Sequence, residues 1–501
     1  MTNLAEMLTQ TVAVHGSRTA IKLDDLELTY SVVDEASARV AGLLAGHGVG
    51  AGDRVGLMLP NVPYFPFAFF GALRLGAVVV PMNPLLKERE VGFHLGDSGA
   101  RVLLAWHGFA DAARAGAQAA GADAVIIAPG EFERTLGQAD AVAEVTGRAD
   151  DDTGLILYTS GTTGTPKGAQ LTHGNLRSAA QIAVDLVDAQ PDLVAFGALP
   201  LFHVFGLTCG LNASTRVGGC LTLLPRFDPG RALEIIQRDG VTEFLGVPTM
   251  YTAMLHHPEH EAFDTSCLEL CVSGGAAMPV EVLRGFEEAF GCKVLEGYGL
   301  SETCAIASFN RPDRERKAGS IGIPVPGVEM TLVADDGSEV GEGEVGEILV
   351  RGSVVMKGYW NRPDATADTI TPDGWLRTGD MGRRDDEGYY SIVDRKKELI
   401  IRGGFNVYPR EIEEVIYEHP AIREAAVLAV PHESLGEEIA AVVVLKDGAQ
   451  ATEEELRDYV KGRVAAYKYP RRVLITSELP KGPTGKILKR EIEVPAQTPA
   501  G

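Results

Sequence analysis

The segment Tyr158-Thr-Ser-Gly-Thr-Thr-Gly-Thr-Pro-Lys-Gly168 follows a short apolar run, Gly154-Leu-Ile-Leu157. Its glycines permit left-handed backbone conformations and a close approach to a ligand. Successive backbone N–H groups can form an anion-binding concavity, to which Lys167 adds a positive charge. The composition therefore indicates a phosphate-binding loop, with a flexible surface turn as the alternative. The loop differs from a Walker sequence, because Pro166 replaces the second glycine and Gly168 replaces the Ser/Thr of that motif.

The composition of the chain limits the classes of protein to which it can belong. With 501 residues it is expected to form roughly two to four domains. A formal net charge of −23 argues against a protein that binds nucleic acid or anionic membranes as a whole. The six cysteines have no paired spacing and indicate reduced thiols in a reducing compartment.

The most apolar long run covers residues 64–82 and is interrupted by Pro66, Gly71, Arg74 and Gly76. A buried helix followed by a buried strand fits this pattern better than a membrane span. The N-terminal residues show no basic segment followed by an apolar core, so no signal peptide is evident. We therefore expect a cytoplasmic protein with no transmembrane segment.

Helical patterns alternate with short apolar strands through most of the chain. The alternation predicts βαβ units and a parallel sheet covered on both faces, which is an α/β fold. Residues 319–393 change to short strands and turns, which predicts a small β-subdomain. The residues after it form a compact α+β unit of ordinary domain size. The segment from Lys461 to Arg490 contains nine Lys or Arg residues and a single acidic residue. This excess of positive charge indicates either a binding site for a polyanionic ligand or a basic surface exposed to solvent.

Several short motifs carry polar residues that could take part in chemistry. His203 follows a strand that ends at Pro200, where a packed histidine is the simple interpretation. Glu302 ends a turn after a strand, and one carboxylate together with phosphates is a usual way to hold Mg²⁺. His256, His257 and His260 show no convincing ligand pattern for a metal. The motifs are Pro200-Leu-Phe-His203, Gly274-Gly-Ala276, Gly297-Tyr-Gly-Leu-Ser-Glu302, Thr378-Gly-Asp380, Asp394-Arg395 and Pro483-Thr-Gly-Lys486.

Together with the loop at 158–168, and in this order, these motifs resemble those of the adenylate-forming superfamily. That superfamily contains acyl-CoA synthetases, luciferases and peptide-synthetase adenylation domains, and the chain is most similar to bacterial fatty-acyl-CoA ligases. The resemblance implies an N-terminal AMP-binding domain, residues 1–394, of two doubly wound α/β subdomains plus a distorted β-barrel. It also implies a small mobile α+β C-terminal lid domain, residues 395–501, with a hinge near 394–397 and Lys397 at the hinge position.

The resemblance assigns roles to individual residues. It makes Lys486, Glu302, Lys167 and His203 catalytic, with Glu302 as the Mg²⁺ ligand. Ser301 stands where the family usually has threonine. ATP or AMP would be bound by Thr159, Ser160, Gly161, Thr162, Thr163, Gly164, Gly275, Ala276, Tyr298, Gly299, Ser301, Asp380 and Arg395, and CoA would pass Gly403 and Gly404. The acyl pocket would be formed by His203, Phe205, Leu207, Val247 and Gly274.

The implied reaction joins a carboxylic acid to CoA at the expense of ATP, through an acyl-adenylate. The apolar pocket residues favour a hydrophobic chain, a medium- or long-chain fatty acid, over a diacid whose second charge would need a buried cation. Some long-chain ligases have tryptophan where Leu207 stands, so the chain length stays open and an aryl or arylpropenoic acid is an alternative. Malonate is a further alternative substrate. A carrier protein as acceptor and a non-catalytic adenylate sensor are further alternatives. Peripheral membrane contact and the oligomeric state stay open.

Overall fold

The computed structural model describes residues 3–159, 165–432 and 435–495. These residues form an α/β structure with two large sheets, a four-stranded antiparallel sheet and a five-stranded C-terminal sheet. The expected α/β class is therefore confirmed. Among the described residues, no helix combines the length and the hydropathy needed to cross a bilayer.

The first large sheet has seven strands, five of which run parallel. The apolar run at 64–82 supplies a buried helix, Tyr64–Arg74, followed by a fully buried strand, as the sequence predicted. The strands, in sheet order, are Gly358–Tyr359, Lys167–Thr172, Thr153–Thr159, Val78–Pro81, Arg54–Met58, Ala100–Trp106 and Asp123–Ile127. The helices of this region are Tyr30–Gly46, Tyr64–Arg74, Glu88–Ser98, Ala110–Ala120 and Glu131–Gln138.

The second large sheet has nine strands, with a parallel centre and antiparallel edges. Its order is Ile323–Pro324, Ser308–Phe309, Lys293–Tyr298, Leu270–Ser273, Glu243–Gly246, Val194–Gly197, Cys220–Leu223, Thr19–Leu23 and Leu26–Thr29. The α-helices of this region are Glu6–His15, His173–Val187, Ala213–Val217, Pro229–Asp239, Pro248–Leu255 and Val280–Phe290, and Gly206–Asn212 is a π-helix. One continuous apolar core joins the two large sheets.

The segment expected to form a distorted barrel is an antiparallel sheet of four strands with the helix Pro363–Thr369 beside it. Its strands, in order, are Val328–Val333, Gly346–Gly352, Leu376–Arg384 and Tyr390–Arg395. The two outer strands do not pair with each other in the described chain, so the sheet stays open. Closure into a barrel would require these two outer strands to pair with each other.

The C-terminal residues build a separate apolar core from residues 400–473. Its strands are Ile400–Arg402, Phe405–Val407, Ile422–His432, Gly436–Leu445 and Arg472–Thr476, and its α-helices are Pro409–Tyr417 and Glu453–Lys461. A second, independent core is the expected property of a small unit that can move against the rest of the chain.

Candidate active site

A cavity of about 960 Å³ lies where the carboxyl ends of the parallel strands of the nine-stranded sheet face the antiparallel sheet and the C-terminal segment. Ligands of α/β proteins usually bind at such strand ends. Most of the residues that the sequence assigned to the site line this one cavity. They are Thr159, Lys167, His203, Phe205, Val247, Gly274, Gly275, Tyr298, Gly299, Ser301, Glu302, Arg395 and Lys486.

Tyr298 and Asp380 connect two sheets at the cavity wall. The Tyr298 hydroxyl donates a hydrogen bond of 2.6 Å to Asp380 Oδ2, and Arg395 Nε lies 3.1 Å from Asp380 Oδ1. Burial raises the pKa of Tyr298, and the Asp380 carboxylate is the main cause of the raised pKa of Arg395. Asp380 itself is buried just behind the wall, whereas its neighbours Thr378 and Gly379 line the cavity. Asp380 therefore holds the Tyr298 phenol and the Arg395 guanidinium in fixed positions at one end of the cavity.

Glu302 lies in the short 3₁₀ turn Ser301–Thr303, after the strand that ends at Tyr298. Its Oε1 accepts a hydrogen bond of 2.9 Å from the Tyr359 hydroxyl. Lys167 Nζ lies 5.3 Å from the centre of the Tyr359 ring, within range of a cation–π contact. The arrangement brings one carboxylate and one ammonium to the same part of the cavity. Tyr359 was missed by the sequence analysis, because no motif marks it.

The backbone after Glu302 is held in an unfavourable conformation. Cys304 and Ala305 have positive φ angles of 52° and 76°. A Cβ atom on Gly299 would lie 2.1 Å from the Ala305 carbonyl, so only glycine permits this close approach. Strain of this kind is commonly stored beside functional residues.

His203 is neutral at physiological pH. Burial lowers its pKa to about 4, with the Lys486 charge as the smaller cause. The main-chain N–H of Phe205 donates to His203 Nδ1 at 3.3 Å, which places the ring proton on Nε2. His203 therefore presents one N–H donor from a ring that lines the cavity.

Lys486 comes from the C-terminal segment and reaches the cavity beside residues of both large sheets. Burial is the main cause of its lowered pKa, and the Arg395 charge is the next. Gly482, Pro483 and Thr484 line the cavity with it. The glycine/proline turn thus delivers one ammonium group to the site.

The other part of the cavity is mainly apolar. Phe205 and Val247, which the resemblance assigned to the acyl pocket, line it together with Ile306. Leu207, also expected in the pocket, is fully buried in the core and does not line the cavity. It belongs to the π-helix Gly206–Asn212, whose wider turn changes the face that each side chain presents, and Cys209 takes a place in the wall instead.

The sequence analysis also missed residues that line the cavity from the end of one helix and from the beginning of one strand. Ala183, Leu186 and Val187 belong to the last turns of the helix His173–Val187. Glu243 lines the cavity from the start of the strand Glu243–Gly246, and a charged residue beside an apolar strand was the available signal.

Some of the assigned residues lie away from the cavity wall or outside the described chain. Ala276 follows the lining glycines but does not line the cavity itself. Gly403 and Gly404, with φ of 56° and 85°, form a hairpin turn that does not contact the cavity. Lys397 is exposed between two strands. Ser160, Gly161, Thr162, Thr163 and Gly164 lie outside the described residues.

Comparisons with known proteins place the chain in a family. Residues 8–360 match the model of the AMP-binding enzymes, and residues 411–486 match that of the AMP-binding enzyme C-terminal domain. The long-chain-fatty-acid–CoA ligase of Bacillus subtilis is 38% identical over 98% of this chain and 94% of its own length. A feruloyl-CoA synthase of an Amycolatopsis species is 39% identical over 95% of each chain.

Solved structures give the same result. ATP-bound MatB from Rhodopseudomonas palustris superposes with a TM-score of 0.91 at 34% identity and covers 98% of each chain. A benzoate CoA ligase from Burkholderia xenovorans has a TM-score of 0.91 at 32% identity, over 98% of this chain and 99% of that one. With its motifs gathered in one cavity, the chain thus belongs to the AMP-binding enzyme family and is an AMP-forming acid–CoA ligase that uses ATP and CoA.

Proposed function

We propose that the cavity activates a medium- or long-chain fatty acid in two half-reactions. The acid carboxylate attacks the α-phosphorus of ATP, which forms an acyl-adenylate and releases diphosphate. The CoA thiol then attacks the acyl carbon, and AMP leaves. One observation carries this proposal: Lys486 of the C-terminal segment lies in the same cavity as His203, Tyr298 and Glu302.

The nucleotide would lie at the polar end of the cavity. Tyr298 would stack on adenine, with Gly275 and Ala276 beside it, and the fixed Asp380–Arg395 pair would bind the ribose hydroxyls. Both Asp380 oxygens already accept one partner, yet each has a second lone pair for a sugar hydroxyl. The phosphates would be bound by Thr159, Lys167, Ser301 and the loop Ser160, Gly161, Thr162, Thr163 and Gly164.

Glu302 is the residue that would hold Mg²⁺. Mg²⁺ usually keeps several waters and binds one or two carboxylates plus substrate phosphates. Glu302 fits this donor set, because it lines the cavity and, among residues 3–159, 165–432 and 435–495, the partner of its carboxylate is the Tyr359 hydroxyl on Oε1, which leaves Oε2 for the ion. When bound, the ion would neutralise charge on the phosphates.

Lys486 and His203 would act on the reacting carboxylate. Bringing that anion to a polyphosphate requires positive charge placed in advance, and one ammonium can bridge the carboxylate and the α-phosphate. The neutral His203 would donate from Nε2 towards the acid without adding a second full charge. His203 and Lys486 line the same cavity, and the lysine charge helps to keep the histidine neutral by lowering its pKa.

The second half-reaction would need a rearrangement of the C-terminal part. We propose a lid at residues 395–501 that turns at Lys397 against residues 1–394, withdraws Lys486 and brings Gly403 and Gly404 to the CoA pantetheine. The separate C-terminal core and the exposed position of Lys397 support this division. We further propose that the enzyme works in the cytoplasm, which the six free cysteines support.

The acyl part of the cavity supports an apolar substrate. Its walls are built from aliphatic and aromatic side chains of two sheets and the helix His173–Val187. The described Lys and Arg residues of the cavity are Lys167, Arg377, Arg395, Lys486 and Arg490. None of them belongs to the helix His173–Val187, the π-helix Gly206–Asn212 or the strand Glu243–Gly246, from which Leu186, Cys209 and Leu245 line the apolar part. Malonate would therefore find no cation for its second carboxylate on these three elements.

A panel of acids tests this proposal. Purified protein is given ATP, Mg²⁺ and CoA with fatty acids of increasing chain length, cinnamic acids, malonate and amino acids, and acyl-CoA and AMP are measured. We expect AMP and acyl-CoA in equal amounts with apolar acids and neither with malonate. Transfer to a carrier protein but never to CoA would contradict the assigned acceptor.

A further inference from the structure

One carboxyl group lies in the apolar part of the cavity. Glu243 is 7% exposed and lines the cavity together with Leu245 and Val247. Phe244, between them, packs in the core on the opposite face. Successive side chains of a strand point to opposite faces. The alternation therefore directs the Glu243 side chain into the cavity.

The position of Glu243 along its strand places it far from the reacting end. The strand Glu243–Gly246 runs parallel to its neighbours, and its carboxyl end leads to Val247, whose Cγ2 would lie 3.0 Å from a Cβ atom on Gly485, the residue before Lys486. Glu243 precedes Gly246 by three residues, which is a rise of about 10 Å. The Glu243 carboxyl therefore marks the inner end of the acyl pocket.

No group of the described chain satisfies this carboxyl. Neither a hydrogen bond nor an ion pair joins Glu243 to any side chain in residues 3–159, 165–432 or 435–495. Its surroundings are apolar: Leu193 lines the cavity from the same end of the adjacent strand, and the nearby Cys209 has a thiol pKa raised by burial and by the Glu243 charge. Burial raises the pKa of Glu243 to about 7. A buried polar group without a partner is unfavourable, so a partner supplied by the substrate would be stabilising.

We propose that Glu243 is a specificity-determining residue that selects acids whose apolar body ends in a hydroxyl group. The proposal rests on the function proposed above and narrows its substrate class. A hydroxyl suits this site because it donates to an ionised carboxylate and accepts from a protonated one. A hydrocarbon end would leave Glu243 without a partner, and an ammonium end would have to form an ion pair in apolar surroundings. The hydroxyl can be phenolic or at the end of an alkyl chain.

Matched pairs of acids test the proposal. Acyl-CoA formation is measured with cinnamate and para-hydroxycinnamate, and with octanoate and ω-hydroxyoctanoate. For at least one pair we expect kcat/KM to favour the hydroxylated acid by about 10- to 100-fold, as for loss of a hydrogen bond to a charged group. Glu243→Leu should abolish or reverse this preference, whereas the isosteric Glu243→Gln should keep part of it. Glu269→Leu, an exposed glutamate next to the neighbouring strand, is the control that should keep the wild-type ratio.

The ratio within a pair does not depend on how much of each preparation is folded, so a destabilised variant still gives a result. Equal kcat/KM values for both members of each pair in the wild type, or a preference that survives in Glu243→Leu, would overturn the role of Glu243. Absence of acyl-CoA with every acid, in contrast, would overturn the proposed function on which this inference rests. A preference for the hydroxylated acid in only one of the two pairs would support the proposal. It would also show whether the enzyme selects a phenolic hydroxyl or one at the end of an alkyl chain.

Discussion

The hydroxyl of Thr249 donates a hydrogen bond of 2.7 Å to the main-chain carbonyl of Gly485. Thr249 is the second residue of the helix Pro248–Leu255, and Gly485 directly precedes Lys486. Gly485 has a φ of 81°, and a Cβ atom there would lie 3.0 Å from Thr249 Oγ1 and Val247 Cγ2. The C-terminal turn is therefore seated directly on the wall of the acyl pocket, with Lys486 inside.

Replacing Lys486 by alanine should separate the two half-reactions. We expect adenylation to fall by roughly 10²–10³, because one preorganised charge is lost from the transition state. Formation of acyl-CoA from synthetic acyl-adenylate should be retained. Lys461→Ala, which removes an exposed lysine of the same C-terminal part, is the control. Equal losses in both half-reactions would contradict the assigned role.

Tyr298→Phe should weaken ATP binding. The substitution keeps the ring but removes the hydroxyl that donates to Asp380 at 2.6 Å. This hydrogen bond holds Asp380 in place for the ribose hydroxyls. Only part of its value of about 1.5–3 kcal/mol would be lost from ATP binding, so KM for ATP should rise by up to roughly 10-fold. KM for the acid should stay nearly constant in the same steady-state measurement. A larger effect on the acid than on ATP would place the nucleotide elsewhere.

Glu302→Gln should raise the Mg²⁺ concentration that half-saturates adenylation. The amide keeps the shape of the side chain but removes the negative charge that favours a hard cation. Tyr359→Phe, which removes the 2.9 Å hydrogen bond to Glu302 Oε1, should shift the Mg²⁺ requirement in the same direction but less. Chelation of the metal should abolish activity in the wild type. An unchanged Mg²⁺ titration of Glu302→Gln would refute this ligand.

His203 should make the protein less stable as the pH falls. Its folded-state pKa of about 4 lies below the usual 6.5, so the unfolded state takes up its proton first. The stabilisation is therefore complete above pH 6.5 and is lost as the pH falls towards 4. His203→Gln should reduce the loss of unfolding free energy between pH 7 and pH 5 by about 2 kcal/mol, measured by urea denaturation. The buried His94 and His173 are present in both proteins, so their contributions to the pH dependence of the unfolding free energy cancel in the comparison. An identical pH dependence in the two proteins would contradict a neutral His203.

Much of the fold follows from local sequence patterns. The interrupted apolar run predicted both the helix Tyr64–Arg74 and the strand Val78–Pro81, because burial on all sides requires continuous apolar residues. Periodicity did not predict the π-helix Gly206–Asn212, since its spacing differs from that of an α-helix. The resemblance placed Leu207 in the pocket, and the π-helix directs that side chain into the core instead. Short strands were expected at 319–393, but whether they close depends on pairing between distant segments.

The residues of the site also fall into two groups, those that local sequence patterns reveal and those that only the tertiary structure reveals. Lys486, Glu302 and Asp380 were found through motifs, whose spacing is local. Thr249 and Gly485 are 236 residues apart, and no local pattern encodes their contact. Tyr359 and Glu243 meet the site only through tertiary packing, although the charge of Glu243 beside an apolar strand was visible in the sequence.

Exchange of labelled diphosphate into ATP, without CoA, tests the central claim that this cavity forms an acyl-adenylate. The account predicts exchange that requires both Mg²⁺ and an apolar acid, and that falls by roughly 10²–10³ in Lys486→Ala. Absence of exchange with every acid of a broad panel, in a folded preparation that still binds ATP, would contradict it.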